Sequence, residues 1–458
     1  MKTPILSVIG HTNVGKTSLM RTLLRDAQFG EVKNESATTK HVEAVHIFGK
    51  HNKLLLTLHD TPGLEDASGV MDFVQAYTNG RDDGIERLLA FLSATDESDA
   101  RLGDDFSQEA KVIRSLIQAD IAIYVIDARE PVLPKYKDEL AILAISGTPV
   151  LPVFNFIKDN EDNMQLWRLM LSRRALHVVN TFDTVAFDFD GEMALWQNLA
   201  TLSVEKDSLN TLQQERQESW QDMAEEGSLI IADFLVNVAS FSKKIDESQD
   251  PTPTLNAMQN AVRQSEDIMQ EKLLHLYQFY NTAIDEHDIE IQGREQDIFD
   301  GELLARHGIR TAGGSITGMV VGAGIDVATL GASLGLGTAL GGIIGGLLPN
   351  TNAIRDKALG IQTLTIDDAT LTLLATRAQN LHHALRHRGH ASLHAVVTDN
   401  PSGSLPWQSH GLPTSLKKAR AYPHYSSLDG YYEDNIGLRQ ELSDKLSITL
   451  LEHLSTLD

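Results

Sequence analysis

Up to about residue 200, short apolar runs of strand length alternate with stretches whose apolar residues recur every three or four positions. The first kind fits buried strands and the second amphipathic helices. Strand-like runs fall at residues 5–10, 41–48, 53–60, 120–128, 149–156 and 176–187, and residues 107–119 and 134–146 read as helices between them. This alternation predicts an α/β fold: a mostly parallel six-stranded sheet with helices on both faces.

Beyond that point the pattern changes. From about 203 to 300 the strand signal stops, acids outnumber bases, and the spacing is helical, broken at 247–256 by two prolines. Residues 311–349 are glycine-rich and apolar with Asp326 as their only charge; Gly314, Gly318 and Gly322, then Gly337, Gly341 and Gly345, recur at every fourth position. Each half would present a smooth helical stripe for close packing. Glycine costs a helix about 1 kcal/mol relative to alanine, so a membrane or a partner helix must compensate. Residues 327–348 are long enough to span a bilayer, and a helical hairpin turning near Asp326 is the competing reading. A His-rich, locally basic stretch and an amphipathic closing helix follow. The expected division is 1–200, 201–310, 311–349 and 350–458, the last three mainly α-helical.

A chain of 458 residues is long enough for two or three domains. Its formal charge of −24 argues against nucleic-acid binding, which draws on clustered Lys and Arg. The absence of cysteine excludes disulfides and thiolate metal sites. With no secretory pattern in its first residues, the expected place is the cytoplasm, with association at the cytoplasmic face of the inner membrane through 311–349.

The chemistry is concentrated early. Gly10-His11-Thr12-Asn13-Val14-Gly15-Lys16-Thr17-Ser18 follows the first strand-like run and opens a helix, the context a phosphate-binding loop requires. Its glycines let backbone N–H groups turn inward, Lys16 would reach the β- and γ-phosphates, and Thr17 would bind Mg²⁺. Asp60 ends an apolar run in "LHDTPGL", where a second metal-side carboxylate belongs, and Gly63 offers a backbone N–H to the γ-phosphate. "SATTKH" places Thr38 and Thr39 where a threonine would close over the metal.

Together "GHTNVGKTS", "TTKH" and "DTPGL" resemble the Era and TrmE group of bacterial GTPases, and the whole arrangement is similar to those carrying a long carboxy-terminal domain of unknown function. The likeness covers about the first 160 residues. It implies GTP hydrolysis to GDP and phosphate with Mg²⁺, and a nucleotide-dependent switch acting on the helical region and a protein effector. It also implies a role for Asn13: in that group an asparagine here accompanies a potassium ion, whose charge stands in for an arginine finger. The plainer reading is that Asn13 caps the loop. Leu64 occupies the place of the glutamine that orients water in Ras-like enzymes, so turnover should be slow. The alternative is a nucleotide-regulated scaffold or membrane-associated protein with little hydrolysis.

The base side is less regular. Guanine selectivity normally comes from Asn-Lys-x-Asp after the fifth strand. Asn155 arrives on schedule, Phe156 replaces the lysine, Lys158 takes the carboxylate position, and Asp159 is one residue late. A shifted loop could still aim Asp159 at the base while Phe156 covers the ring. Residues 63–121 are too long for a minimal second switch, and Arg81, Arg87 and Arg101 within them read as solvated. His382, His383, His387, His390 and His394 form a group whose 383/387 pair could ligate zinc, with a basic surface the simpler role.

Overall fold

A computed structural model describes residues 3–25, 42–97, 105–184, 187–279, 360–389, 411–429 and 436–457, with short pieces at 102, 291–292, 299, 325–328, 396–397 and 407. Contacts divide the chain into two compact units. One is Met1–Gln221 with Gln278–Tyr280 and His387–Leu393, and the other is Asp222–Tyr277, Asn281–Arg386 and His394–Asp458.

The first unit is built on strands β1 (Ile5–Ile9), β2 (Glu43–Phe48), β3 (Leu54–Asp60), β4 (Ile121–Asp127), β5 (Val150–Asn155) and β6 (Asn180–Thr181). They form one sheet in the order β2-β3-β1-β4-β5-β6, parallel except for β2, which runs antiparallel to β3. All of β4 is buried, as expected for a central strand covered on both faces. The six-stranded expectation holds, with one correction: the last strand shrinks from a twelve-residue run to two residues. There the chain leaves the sheet at once, and Phe182 and Phe187 fill the core instead.

Helices α1 (Lys16–Leu24), α5 (Pro134–Ile145), α6 (Glu161–Ser172) and α7 (Phe189–Leu202) flank the sheet. The long stretch after Gly63 folds into α2 (Ala67–Tyr77), α3 (Gly84–Asp96) and α4 (Ser107–Gln118), whose Val70, Phe73, Val74, Leu88, Phe91 and Ile113 join the core. Arg87 is spent on local structure, donating to Thr78 Oγ1 at 3.0 Å. Arg81 is exposed, and Arg101 lies outside the described residues.

The two units share α8 (Lys206–Ser240), a single helix of 35 residues. The second unit adds α9 (Thr252–Leu276), α10 (Asp368–Arg386), α11 (Thr414–Ala419) and α12 (Ile436–Leu457). A three-stranded antiparallel sheet joins them, with β7 (Ser242–Asp246) and β9 (Ile325–Ala328) on either side of β10 (Ile361–Ile366). Strand β8 (Ile291–Gln292) pairs with β11 (Val396–Val397).

Three expectations are corrected here. A strand, β7, lies inside a stretch read as helical; its one buried apolar residue, Ile245, gives no alternating signal. Residues 325–328, where a helical hairpin would turn, are extended and hydrogen-bonded to β10, in keeping with β-branched Ile325 and Val327. The rest of the glycine-rich segment lies outside the described residues. His382, read as part of a basic surface, is fully buried, with Nε2 2.9 Å from the Tyr277 hydroxyl. Burial beside Arg386 pulls its pKa down to about 3, so the ring is neutral. Among the described residues no helix is long and apolar enough to cross a membrane, and no group of three or more His, Asp or Glu could hold a metal ion.

Candidate nucleotide site

The loop from Gly10 to Gly15 joins β1 to α1. Gly15 caps the helix at φ +91°, a left-handed conformation, and a Cβ there would lie 2.3 Å from Asn155 Nδ2. Both constraints call for glycine. The free N–H groups of the following helical turn suit the loop to an anion. Lys16 is buried and arches back over the loop, Nζ donating to the carbonyls of Gly10 at 3.1 Å and His11 at 2.8 Å. Burial lowers its pKa to about 8, against the pull of Asp60, Glu139 and Glu65, so it is mostly charged at neutral pH. Val14 is a core residue, and Ser18 gives its carbonyl to Thr22.

On the metal side, Thr17 Oγ1 donates to Asp60 Oδ2 at 2.7 Å. Asp60, the last residue of β3, is 1 % exposed, and its Oδ1 has no hydrogen-bond partner. Burial raises its carboxyl to about 6, although the Thr17 bond and the Lys16 charge oppose the shift. A buried carboxylate oxygen without a donor, next to a hydroxyl, suits a hard divalent cation. Thr39 lies outside the described residues.

The segment after Asp60 is laid along the loop. Thr61 Oγ1 donates to the Val8 carbonyl at 2.7 Å. A Cβ at Gly63 would fall 2.1 Å from Thr12 Oγ1, so this close approach also requires glycine. Leu64 N–H donates to the Gly10 carbonyl at 3.3 Å, and Thr12 Oγ1 donates to Glu65 Oε1 at 2.8 Å. The Leu64 side chain is buried in the core. Asn13 is exposed at φ +64°, a region asparagine tolerates better than most residues.

On the base side Asn155 is a tie between loops. Its amide donates to the Val14 carbonyl at 3.0 Å, and its Oδ1 accepts from Phe156 N–H at 2.9 Å and from both Thr184 N–H and Thr184 Oγ1 at 3.1 Å. Phe156 and Asp159 adopt φ of +55° and +61°. Asn160 staples this turn through the carbonyls of Phe156 and Lys158, and Asp183 accepts from Ile157 N–H at 3.2 Å. The Phe156 ring lies beside Gly15, and the Arg129 guanidinium sits 4.0 Å from its centroid. Asp127 grips that guanidinium through both carboxylate oxygens. Asp159 is exposed.

Sequence reasoning missed Glu139, Tyr124 and Arg129. Glu139 carries a legible signal: it stands in the stripe Tyr136, Glu139, Leu140, Leu143, an acid where an apolar residue is expected, and it is buried. Its oxygens meet His11 Nδ1 at 3.0 Å and the Tyr124 hydroxyl at 2.8 Å. Arg129, two residues past a strand end, carries no such signal.

Residues 5–156 match the model of the 50S ribosome-binding GTPase family, and residues 168–447 match the domain of unknown function DUF3482. No curated protein matches the sequence. Similar solved structures include Era with MgGDPNP and a segment of 16S ribosomal RNA, at 19% identity and TM-score 0.29, covering 40% of this chain and 51% of that one. The chain thus spans about half the length of that Era structure. Era from Aquifex aeolicus bound to GDP and AlF4⁻ has 15% identity and TM-score 0.29, covering 50% and 68%. NFeoB from S. thermophilus bound to GMPPNP has 14% identity and TM-score 0.26, covering 60% and 96%. With DUF3482 matching more than half of its length, the chain belongs to the DUF3482 family, and its residues 5–156 match the GTPase family model.

Proposed function

We propose that this protein is a Mg²⁺-dependent GTPase whose nucleotide state is read by its helical region. One observation carries the proposal: Lys16, Thr17 and Asp60 converge on the phosphate loop, and Asp60 keeps one buried oxygen unpaired. Lys16 and the first N–H groups of α1 neutralise the phosphates. Thr17, Asp60 and Thr39 would hold Mg²⁺, which supplies further charge neutralisation at the β- and γ-phosphates. Gly63 N–H meets the γ-phosphate. Asn13, exposed at φ +64°, would help seat potassium. Phe156 covers the base and Asp159 contacts its edge from a displaced turn.

A buried Leu64 leaves no side chain at that position to orient water, which supports slow hydrolysis and gives the scaffold reading its footing. Intrinsic GTPase rates of about 10⁻⁴ to 10⁻³ per second correspond to roughly one turnover per hour. The decisive experiment is binding of labelled GDP with and without Mg²⁺, together with phosphate release from GTP. Magnesium-dependent binding with turnover well below that rate leaves only the scaffold, and no guanine-nucleotide binding removes both readings.

The link to the helical region is supported by α8. Arg216 Nη2 donates to the Leu23 carbonyl at 2.8 Å, at the end of α1. Glu215 accepts from Lys50 N–H, and Glu218 pairs with Lys50 Nζ, between β2 and β3. Leu23 and Lys50 bracket in sequence the segment that carries Thr39, which supports a part for α8 in reading the nucleotide state. A ribosomal partner, named for the matched GTPase family, would have to be met by a chain of net charge −24. A protein surface is the better fit.

A further inference from the structure

His11, the second residue of the phosphate loop, makes two contacts through one atom: Nδ1 lies 3.1 Å from the Leu64 carbonyl and 3.0 Å from Glu139 Oε1. Both are acceptors, so Nδ1 carries a hydrogen shared between them. The Glu139 side chain is 1 % exposed against 17 % for His11. Its second oxygen accepts from the Tyr124 hydroxyl, and burial with the nearby Glu139 charge holds that phenol well above its ordinary pKa. Tyr124 therefore stays a donor. A hydrogen-bonded line runs from β4 through α5 to the loop, and ends on a backbone carbonyl one residue past Gly63.

Leu64 has both backbone groups tied to the loop, its N–H to Gly10 and its carbonyl to His11. The Gly10 tie sets the direction of the Gly63–Leu64 peptide and the His11 tie that of the Leu64–Glu65 peptide, so the residue next to Gly63 is anchored on both sides. Among these ties, the one through His11 is backed by a buried carboxylate, and burying a carboxylate is costly unless its oxygens are satisfied. With the Leu64 side chain turned into the core, any alignment of the reacting phosphate or water by this segment falls to its backbone.

We infer that Glu139 is a positioning residue for hydrolysis: through the His11 ring it holds the Leu64 carbonyl, and so aims the Gly63 backbone at the γ-phosphate. This rests on the GTPase reading above. A positioning role differs from a purely structural one in what it leaves alone. GDP lacks the γ-phosphate, so its affinity should not depend on Glu139, whereas affinity for a non-hydrolysable GTP analogue and kcat should.

The test uses the full chain with Glu139→Ala and Glu139→Gln, measuring GDP affinity, GTP-analogue affinity and turnover at saturating GTP. Glu139→Ala should lower kcat at least tenfold and weaken the analogue severalfold while GDP affinity stays within twofold. Glu139→Gln, which keeps an acceptor for His11, should fall between it and the wild type. If Glu139→Ala no longer binds GDP because it fails to fold, the glutamine variant decides by the same split. Parallel losses for GDP and analogue with kcat unchanged would make Glu139 structural and overturn the proposal. Variants indistinguishable from an active wild type would overturn it alone. A wild type that binds guanine nucleotide without turnover would remove the hydrolysis reading and this proposal with it.

Discussion

The proposed phosphate side and the proposed base side of the site are built by different means. On the proposed phosphate side, among the described residues, one loop and one strand end supply Lys16, Thr17 and Asp60, and much of the geometry is backbone: the Gly15 cap, the carbonyls that receive Lys16, and the close approach of Gly63 to Thr12. On the proposed base side, side chains from three loops do the tying: Asn155 bonds Thr184, Asp183 accepts from the Ile157 N–H, and Arg129 meets both Asp127 and Phe156. Backbone geometry forces particular residues at fixed spacing, while side-chain networks can be rebuilt with other residues. The first side should be intolerant of change, and the second graded.

The largest effect should come from Lys16→Ala. Losing charge-assisted bonds to phosphate, worth about 1.5–3 kcal/mol, should weaken GTP and GDP binding by roughly 100-fold in calorimetric titration. A loss under tenfold would put the phosphates elsewhere.

Next is the pH dependence of Asp60. Its carboxyl titrates near 3.8 ordinarily and at about 6 in the fold, so ionising it subtracts stability as pH rises through that window. Nucleotide-free Asp60→Asn should therefore melt higher than the wild type above pH 6, with the gap gone below 3.8. Magnesium needs the ionised form, so metal-dependent GDP affinity should fall up to about tenfold per unit as pH drops below 6. In Asp60→Asn that step should vanish. A wild-type profile flat from 7 to 5 would rule out Asp60 as a ligand.

The base side should lose less. Phe156→Ala should weaken GDP by about tenfold, in the range of a lost stacking contact, and Arg129→Ala by about threefold, as for an exposed cation–π pair. Asp159→Ala should narrow the preference for GTP over ATP. If Phe156→Ala matches Lys16→Ala in severity, the contrast between the two sides fails.

The smallest expected effect concerns Asn13. Turnover should be roughly threefold faster in potassium than in sodium at equal ionic strength, less than 1 kcal/mol of barrier, and Asn13→Asp should flatten the difference. Equal wild-type rates in both salts would sink the potassium assignment.

How much could be read from the chain follows the same divide. The strands and the loop of the first unit were legible because apolar runs, glycines and Asp60 each sit where one geometry demands them. Asn155 was found, but its work as a tie among Val14, Phe156 and Thr184 is a matter of long-range contacts that no local pattern records. In the second unit, α10 reads as polar and basic, yet Arg377, Gln379, His382 and Arg386 are all buried. Their partners come from far along the chain, as with the Arg377–Glu266 ion pair at 3.2 Å and the Gln379 bond to the Leu450 carbonyl. Strand β7 escaped because a single inward residue leaves no period to see.

The sharing of α8 between the units bears on how the protein can be divided. The GTPase family model ends at residue 156 and the DUF3482 model begins at 168, inside α6. The core beneath β1 and β3 nonetheless includes Phe182, Leu195, Trp196, Leu199, Leu209 and Leu212, all beyond that line. A chain truncated between the two family matches would lose the fully buried indole of Trp196, and large-to-small losses of this kind cost about 3–5 kcal/mol each. The inherited seam and the physical one are different places: the GTPase completes its own interior with residues of its companion, so neither part can be exchanged for a foreign one by a simple splice.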